Sequence, residues 1–375
     1  MRLEEVTQYF PSGIAQGKAF INREKERKQL RKNIIANRHM VLMAPRRYGK
    51  TSLVHQVAEE AKIPFCIMDL LAVHSDESVK DIFFDKVGKL IGELLPPVHH
   101  AKEKLFSIFS SMKPELSLSA FGQRLVLHMP TSNAVSNITE LLLKLDETAT
   151  HFEKRAILFI DEMQQITFLK NAHSIEASLR HAIERSKSIT YCFSGSSRHL
   201  LKGMFGDSSR PLYRLCHTLE IERMAEEHYH QHLNQLARER WNCALDEAVF
   251  KTLMRLTEGH PFYVNALCQC VWMEDQIPDA LTLEAIWRNY VQANRHVIAD
   301  DVIGLSLNQK QVLTTLAHHH VTEMYGADFL GKVKLSQSSV RKSVDVLLEK
   351  DLIYHHENIY DLIDPAIKYF LKNLG

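Results

Sequence analysis

Eight residues, Ala44-Pro45-Arg46-Arg47-Tyr48-Gly49-Lys50-Thr51, stand between the apolar run His39-Met40-Val41-Leu42-Met43 and the helical pattern Ser52-Leu53-Val54-His55-Gln56-Val57-Ala58. A strand, a tight loop and a helix in that order constrain the fold more than anything else in the chain. Backbone N–H groups of such a loop converge on a hollow that the positive helix end also faces, so the complementary ligand is a polyphosphate. The residues expected to bind it are Ala44, Pro45, Arg46, Arg47, Tyr48, Gly49, Lys50, Thr51 and Ser52. Lys50 would reach the β- and γ-phosphates as a mobile point charge, and the Thr51 hydroxyl would ligate Mg²⁺. Ala44 stands where the usual G-x-x-x-x-G-K-[ST] pattern has its first glycine. The loop must therefore begin without a left-handed residue or bear the cost of a Cβ there.

Hydrolysis requires a second site. Ala156-Ile157-Leu158-Phe159-Ile160-Asp161-Glu162 is a continuous apolar run ending in two carboxylates, the pattern of a strand buried on both faces of a parallel sheet. Such strands point their carboxyl ends at the ligand crevice. Asp161 is expected to help hold Mg²⁺, and Glu162 to orient and polarise the attacking water. Together with the loop, this strand predicts ATP and ADP as ligands, Mg²⁺ as the metal, and ATP hydrolysis that is slow unless a partner or self-association completes the site.

The Arg-Arg-Tyr-Gly-Lys-Thr-Ser-Leu loop, the segment Phe20-Ile21-Asn22-Arg23-Glu24-Lys25-Glu26 and the Asp161-Glu162 strand together resemble the signal-transduction ATPases with numerous domains. More narrowly, they resemble the archaeal-type ATPase branch, whose relatives include AAA+ origin-recognition initiators. The resemblance implies an adenine-side contact at Phe20 and Arg23, although Asn22 occupies the place of the glycine in the usual Phe-x-Gly-Arg-x-x-Glu. Ile189-Thr190-Tyr191-Cys192-Phe193-Ser194-Gly195-Ser196-Ser197-Arg198 looks like the family's fourth strand and implies Arg198 as the residue sensing the γ-phosphate. Thr257-Glu258-Gly259-His260-Pro261-Phe262 looks like the Gly-x-Pro turn of a helical lid, placing Pro261 at the nucleotide. Ser208-Ser209-Arg210-Pro211-Leu212-Tyr213-Arg214 resembles the stretch in which related ATPases place an arginine against the transferring phosphate, Arg214 ahead of Arg210.

Strand and helix patterns alternate through the first two thirds of the chain, which predicts an α/β core on a parallel sheet. Five strands are expected, at 39–43, Pro64–Leu70, 156–160, Thr190–Phe193 and Cys216–Ile221, in the additional-strand arrangement of P-loop ATPases. About eighty residues separate the second from the third. They read as helical, including Val79–Leu95 and Ala134–Phe152, with breaks at Pro96-Pro97, Pro114 and Pro130, and predict an inserted helical hairpin or flap over about 71–150. The core is thus expected over 1–222 and a helical lid over 223–300, with helices at Glu226–Arg240, Asp246–Leu256, Pro261–Asp275 and Leu283–His296.

Residues 301–375 read as a winged helix. Helices are expected at Asn308–His319, Gly326–Val333 and Gln337–Lys350, the last capped by Ser336 and buried along Val340, Val344 and Leu347-Leu348. Leu352-Ile353-Tyr354 and Ile359-Tyr360-Asp361-Leu362 would form the wing around His355-His356-Glu357-Asn358. Gln337, Ser338, Arg341 and Lys342 lie on the exposed face of the third helix, where winged helices read duplex DNA. Yet acidic and basic residues nearly balance over 305–375, whereas a strong phosphate footprint needs an excess. The segment Tyr360-Asp361-Leu362-Ile363-Asp364-Pro365 also resembles the family's ending where the unit serves as an intramolecular latch. Latch or protein contact, and duplex DNA contact, both remain open.

Composition sets the outer limits. The 375 residues, 45% hydrophobic and 24% charged, suffice for two or three globular domains. No apolar stretch approaches the roughly 18 residues of a spanning helix, and Met1-Arg2-Leu3-Glu4-Glu5 lacks a leader core, so a cytoplasmic chain without membrane insertion is expected. Net charge is +1, which excludes a polyanion binder acting by bulk charge alone. Arg23, Lys25, Arg27, Lys28, Arg31 and Lys32 crowd one helix, which reads either as a patch for nucleic acid or acidic lipid or, in preference, since Glu24 and Glu26 interleave the cations, as a solvated face. The six cysteines, at 66, 192, 216, 243, 268 and 270, form no C-x-x-C pair and read as reduced thiols. His228, His230 and His232 alternate within a helix without a completing ligand and do not make a zinc set.

Overall fold

A computed structural model describes residues 2–96, 99–110, 115–118, 125–128, 134–319, 321–356 and 359–373. Pro97, Pro114, Pro130, Glu357 and Asn358, read above as breaks and turn, lie outside the described residues. The chain divides into two compact units, one of Arg23–Arg46 with Lys50–Ile221, the other of Met1–Asn22, Arg47–Gly49 and Glu222–Gly375.

The first unit is built on a parallel sheet. Its strands are β1 (Met40–Met43), β2 (Phe65–Asp69), β5 (Ala156–Asp161), β6 (Ile189–Gly195) and β7 (His217–Glu220), in the order β2-β5-β6-β1-β7. Every pairing is parallel, so each strand must be followed by a crossover. β6, with all seven residues buried, is the additional strand between β1 and β5. Its register pairs Ile160 with Phe193 and Leu42 with Ser194, which brings the carboxyl ends of β1, β5 and β6 level.

The insertion after β2 contains helices Asp76–Leu94, His99–Phe109 and Ala134–His151. It also contains an antiparallel pair, β3 (Glu115–Leu118) and β4 (Leu125–His128), where the sequence suggested helix. Glu115-Leu116-Ser117-Leu118 alternates with period two, and in so short a segment leucine spacing cannot separate strand from helix. Phe83, Val87, Leu90 and Ile91 pack with Leu141, Leu142 and Leu145 in the same buried core as Leu158 and Phe193 of the sheet.

In the second unit, helices Glu226–Trp241, Glu247–Thr257, Pro261–Trp272, Ala280–Ala293 and Arg295–Ile303 precede the winged helix. The winged helix comprises Leu307–His318, Ala327–Val333, Gln337–Glu349, β8 (Ile353–His356), β9 (Ile359–Leu362) and a closing helix Pro365–Asn373. Ser336 caps the third helix by accepting from the Ser339 N–H, and Val340, Val344 and Leu347 are buried along it. The chain just before the winged helix is itself helical over Arg295–Ile303. Residues 1–22 group with these helices and not with the sheet: Val6 and Phe10 join a core with Tyr229, Trp272 and Trp287, and the Phe10 and Trp272 rings lie 4.8 Å apart. Among the described residues no helix is long and apolar enough to cross a membrane.

Candidate nucleotide site

β1 ends at Met43, and the loop begins with Ala44 and Pro45, both buried. Neither residue is left-handed. Positive φ falls instead at Arg47 (63°) and Gly49 (82°), so the missing first glycine costs the loop nothing in backbone strain. Arg46 is exposed; Ser52 is buried in the first turn of helix Lys50–Ala61. Lys50 is only 6% exposed, and its Nζ donates to the carbonyls of Ala44 (3.1 Å) and Pro45 (3.0 Å). A buried ammonium held by two carbonyls of its own loop is placed for exchange onto phosphate oxygens, a stronger, charge-assisted partner.

The acidic strand meets this loop. Asp161 Oδ2 accepts from Thr51 Oγ1 at 2.8 Å, and Oδ1 accepts from Ser194 Oγ and the Glu162 N–H at 3.0 Å. A threonine hydroxyl beside a carboxylate is a hard-oxygen pair of the kind Mg²⁺ takes, with no soft ligand among the contacts. The donor set therefore fits the expected ion. Glu162, one residue on, leaves the strand in the left-handed region at φ 53°. Its Oε2 accepts from Ser196 Oγ at 2.8 Å and from Gln164 Nε2 at 2.5 Å. Lys50, Thr51, Asp161 and Glu162 are thus brought together within the sheet unit, in company with Ser194, Ser196 and Gln164, which sequence reasoning did not select.

The remaining expected residues are more scattered. Arg198 opens helix Arg198–Gly206, just past the end of β6. Arg214 is exposed, left-handed at φ 52°, with its guanidinium over the Tyr213 ring. Arg210 is bound instead to Glu176, a fully buried carboxylate whose burial raises its pKa and whose partner arginine opposes that rise. Losing this partner would leave a buried charge unpaired, so Arg210 has a structural task. Arg23 is buried and left-handed at φ 51°, and pairs with Glu26 at 3.1 Å. Asn22, at φ 41°, explains the absent glycine: asparagine is among the few side chains that tolerate that region.

In the second unit, Phe20 is half-buried after a short turn, and Pro261 takes the first position of helix Pro261–Trp272, where its missing N–H costs nothing. The loop tip belongs to this unit. Arg47 lies over the Phe262 ring at 4.3 Å, and the buried Tyr48 ring meets His260 edge-on at 4.8 Å. Arg223, absent from every motif in the sequence, ties the tip to the winged helix. Its Nε donates to Tyr48 Oη (3.2 Å), Nη1 to the Glu258 carbonyl (3.1 Å) and Glu258 Oε2 (3.0 Å), and Nη2 to the Ile363 carbonyl (2.8 Å). Lys368 adds bonds to Glu258 (2.8 Å) and Asp361 (2.7 Å), and Tyr263 Oη donates to the half-buried Asp364 at 2.6 Å.

Gln337, Ser338, Arg341 and Lys342 are exposed on the third helix of the winged unit, with the Arg341 guanidinium over the Tyr325 ring. Among the described residues no group of three or more His, Cys, Asp or Glu forms a metal-ligand cluster.

A family model described as an ATPase domain predominantly from Archaea matches residues 20–267, and one described as a probable winged helix domain matches residues 301–373. No curated protein matches significantly. Among solved structures, a Walker-type ATPase of Pyrococcus abyssi is 17% identical with a TM-score of 0.71, over 97% of this chain and 99% of its own. The ORC2 protein of Aeropyrum pernix, solved in ADPNP–ADP complexes, is 11% identical with a TM-score of 0.53, over 94% and 93%. At such identities the likeness is one of fold.

Proposed function

This chain belongs to the family of ATPase domains found predominantly in Archaea, and from that premise we propose that it is an ATP-hydrolysing molecular switch of the signal-transduction ATPase class. The hydrolytic half rests on one observation, the 2.8 Å bond that joins Thr51 to Asp161 across 110 residues of sequence. Lys50 holds the β- and γ-phosphates, and the loop N–H groups orient them. Mg²⁺ held by Thr51 and Asp161 would offset phosphate charge. Glu162 accepts a proton from the attacking water. Arg198 and Arg214 are the candidate cations for the γ-phosphate, Arg214 from its exposed position serving this site or that of a second copy; Phe20, Arg23 and Pro261 are the candidate adenine-side residues.

The switch half rests on Arg223. A single side chain bonds the phosphate-loop residue Tyr48, the turn at Glu258 and the winged-helix carbonyl of Ile363, so a ligand that alters the loop tip alters contacts of the winged helix. A switch requires such differential contacts in its two states. Glu162→Gln keeps size and hydrogen bonding but removes the basic oxygen; it is expected to bind ATP normally and to lower turnover by roughly 10²-fold or more. Limited proteolysis of that variant with ATP, and of the parent with ADP, should differ over residues 297–308. Identical patterns would refute the switch, and turnover at the parent rate would refute the role of Glu162.

A second reading, an ATP-gated DNA-binding initiator or regulator, is favoured by the exposed Gln337, Ser338, Arg341 and Lys342. It predicts duplex binding that Arg341→Ala with Lys342→Ala weakens, together with a shallower salt dependence. No duplex binding at low salt would leave the winged helix as a latch or protein contact.

A further inference from the structure

Glu162 presents its two carboxylate oxygens very differently. Oε2 accepts three hydrogen bonds, from Gln164 Nε2 at 2.5 Å, Ser196 Oγ at 2.8 Å and the Ser196 N–H at 3.3 Å. Gln164 is 3% exposed, Ser196 is 6% exposed, and Gln164 Nε2 also lies 3.3 Å from Ser196 Oγ. The amide can face only one way: reversed, its carbonyl oxygen would confront a carboxylate oxygen. In the orientation that remains, Gln164 Oε1 is buried without a hydrogen-bond partner, a cost that native interiors rarely carry except where function requires it. The backbone makes room for this arrangement. At Gly195 a Cβ would stand 1.9 Å from Gln164 Oε1, so only glycine lets the amide lie there.

We propose that Gln164 and Ser196 are positioning residues for hydrolysis: they saturate Oε2 of Glu162 and so commit Oε1 to the reaction. The inference rests on the hydrolytic reading of Glu162 given above. In the step itself, the water oxygen bonds to the γ-phosphorus as the bond from that phosphorus to the bridging oxygen breaks. The electron pair leaves on the β-phosphate of ADP. The water proton passes to Glu162 Oε1 and then to the released phosphate, which restores the carboxylate. With Oε2 occupied by three donors, rotation of the carboxylate is blocked, and the acceptor stays aimed in one direction; such fixed geometry is a recognised source of rate.

The test separates positioning from mere support. Gln164→Ala should lower kcat about tenfold, the order expected for one hydrogen bond to a charged group, while KM and the calorimetric affinity for ATP stay unchanged. Ser196→Ala should act in the same direction, and Ser196→Thr, which restores the hydroxyl, should recover the parent rate. Gly195→Ala should reproduce the loss by displacing the amide. In a Glu162→Gln background, Gln164→Ala should have no further effect on kcat, because the group it positions is gone. A parent-like kcat for Gln164→Ala, a change confined to KM, or an equal further loss in the Glu162→Gln background would each overturn the proposal. If Glu162→Gln alone turned over at the parent rate, the hydrolytic reading would fall first and this inference with it; if Glu162→Gln is slow while Gln164→Ala is not, only this inference falls.

Discussion

Arg223→Ala should destabilise the unit that contains the winged helix, by an amount that follows from its contacts. The guanidinium donates four hydrogen bonds, two of them to backbone carbonyls and one to the Glu258 carboxylate. Breaking a buried ion pair by removing one partner costs about 3–5 kcal/mol. Two observations reduce that figure. The Arg223 side chain is 24% exposed, and Glu258 keeps Lys368 at 2.8 Å. A loss of about 2–3 kcal/mol is therefore expected, once screening and the remaining cation are allowed for. At about 2–4 °C per kcal/mol for a unit of this size, the corresponding transition should fall by about 4–12 °C in differential scanning calorimetry. Arg223→Lys should rescue little, since one ammonium cannot reproduce a planar fork reaching four acceptors on three residues. Tyr48→Phe removes a single neutral partner and should cost about 0.5–1.5 kcal/mol. If Arg223→Ala left the transition in place, or cost no more than Tyr48→Phe, Arg223 would not be the joint between loop tip and winged helix.

Two further outcomes are expected. Lys50→Ala should abolish or greatly weaken Mg-ATP binding, because it removes the ammonium assigned to the β- and γ-phosphates; unchanged affinity by calorimetry would sink the loop assignment. His260 is buried against Tyr48 and Tyr263, and burial, reinforced by the charges of Arg223 and Arg47, pushes its pKa down to about 3. Its folded value lies below the ordinary one of about 6.5, so the unfolded chain binds the extra proton between those values. The contribution of neutral His260 is complete above about pH 6.5 and is lost as pH falls toward 3. Melting temperature should drop across that window, and His260→Phe should flatten the drop; an equal slope in the variant would show that other groups govern it.

The parts of this molecule that were legible in its sequence are those whose chemistry is local. The phosphate loop and the acidic strand announce themselves because strand, loop, lysine and hydroxyl are contiguous, and the sheet follows from short apolar runs at crossover spacing. Gln164 and Ser196 could not be found this way. They lie 32 residues apart, and only the pairing of β5 with β6 brings them to the same carboxylate. A usable signal existed in Asp161-Glu162-Met163-Gln164, but a glutamine two residues past a glutamate has no meaning until the backbone turns. Arg223 was hidden for the same reason, its partners being at 48, 258 and 363. Arg210 read as a candidate until Glu176 appeared beneath it. Spacing in sequence does not identify which cations are already committed to a buried carboxylate.

The turn at Glu162 shows why one strand end can serve two tasks. Along a regular strand, neighbouring side chains point to opposite faces, and the second carboxylate would be turned away from the sheet end. A left-handed residue changes the direction in one step, at a cost of about 1–2 kcal/mol for a side chain other than glycine. That strain is offset locally. The displaced Glu162 N–H bonds to Asp161 Oδ1, and the re-aimed Oε2 receives three donors. The same carboxylate of Asp161 keeps its other oxygen on Thr51. One backbone rotation thus divides two adjacent acids between separate neighbours, a hydroxyl suited to a metal and a pair of residues whose three donors are suited to fixing a base. Replacing Glu162 by glycine would relieve the strain yet remove the proposed base; on that proposal the position is under opposing demands that only a strained acidic residue satisfies, the pattern expected where backbone strain marks a working site.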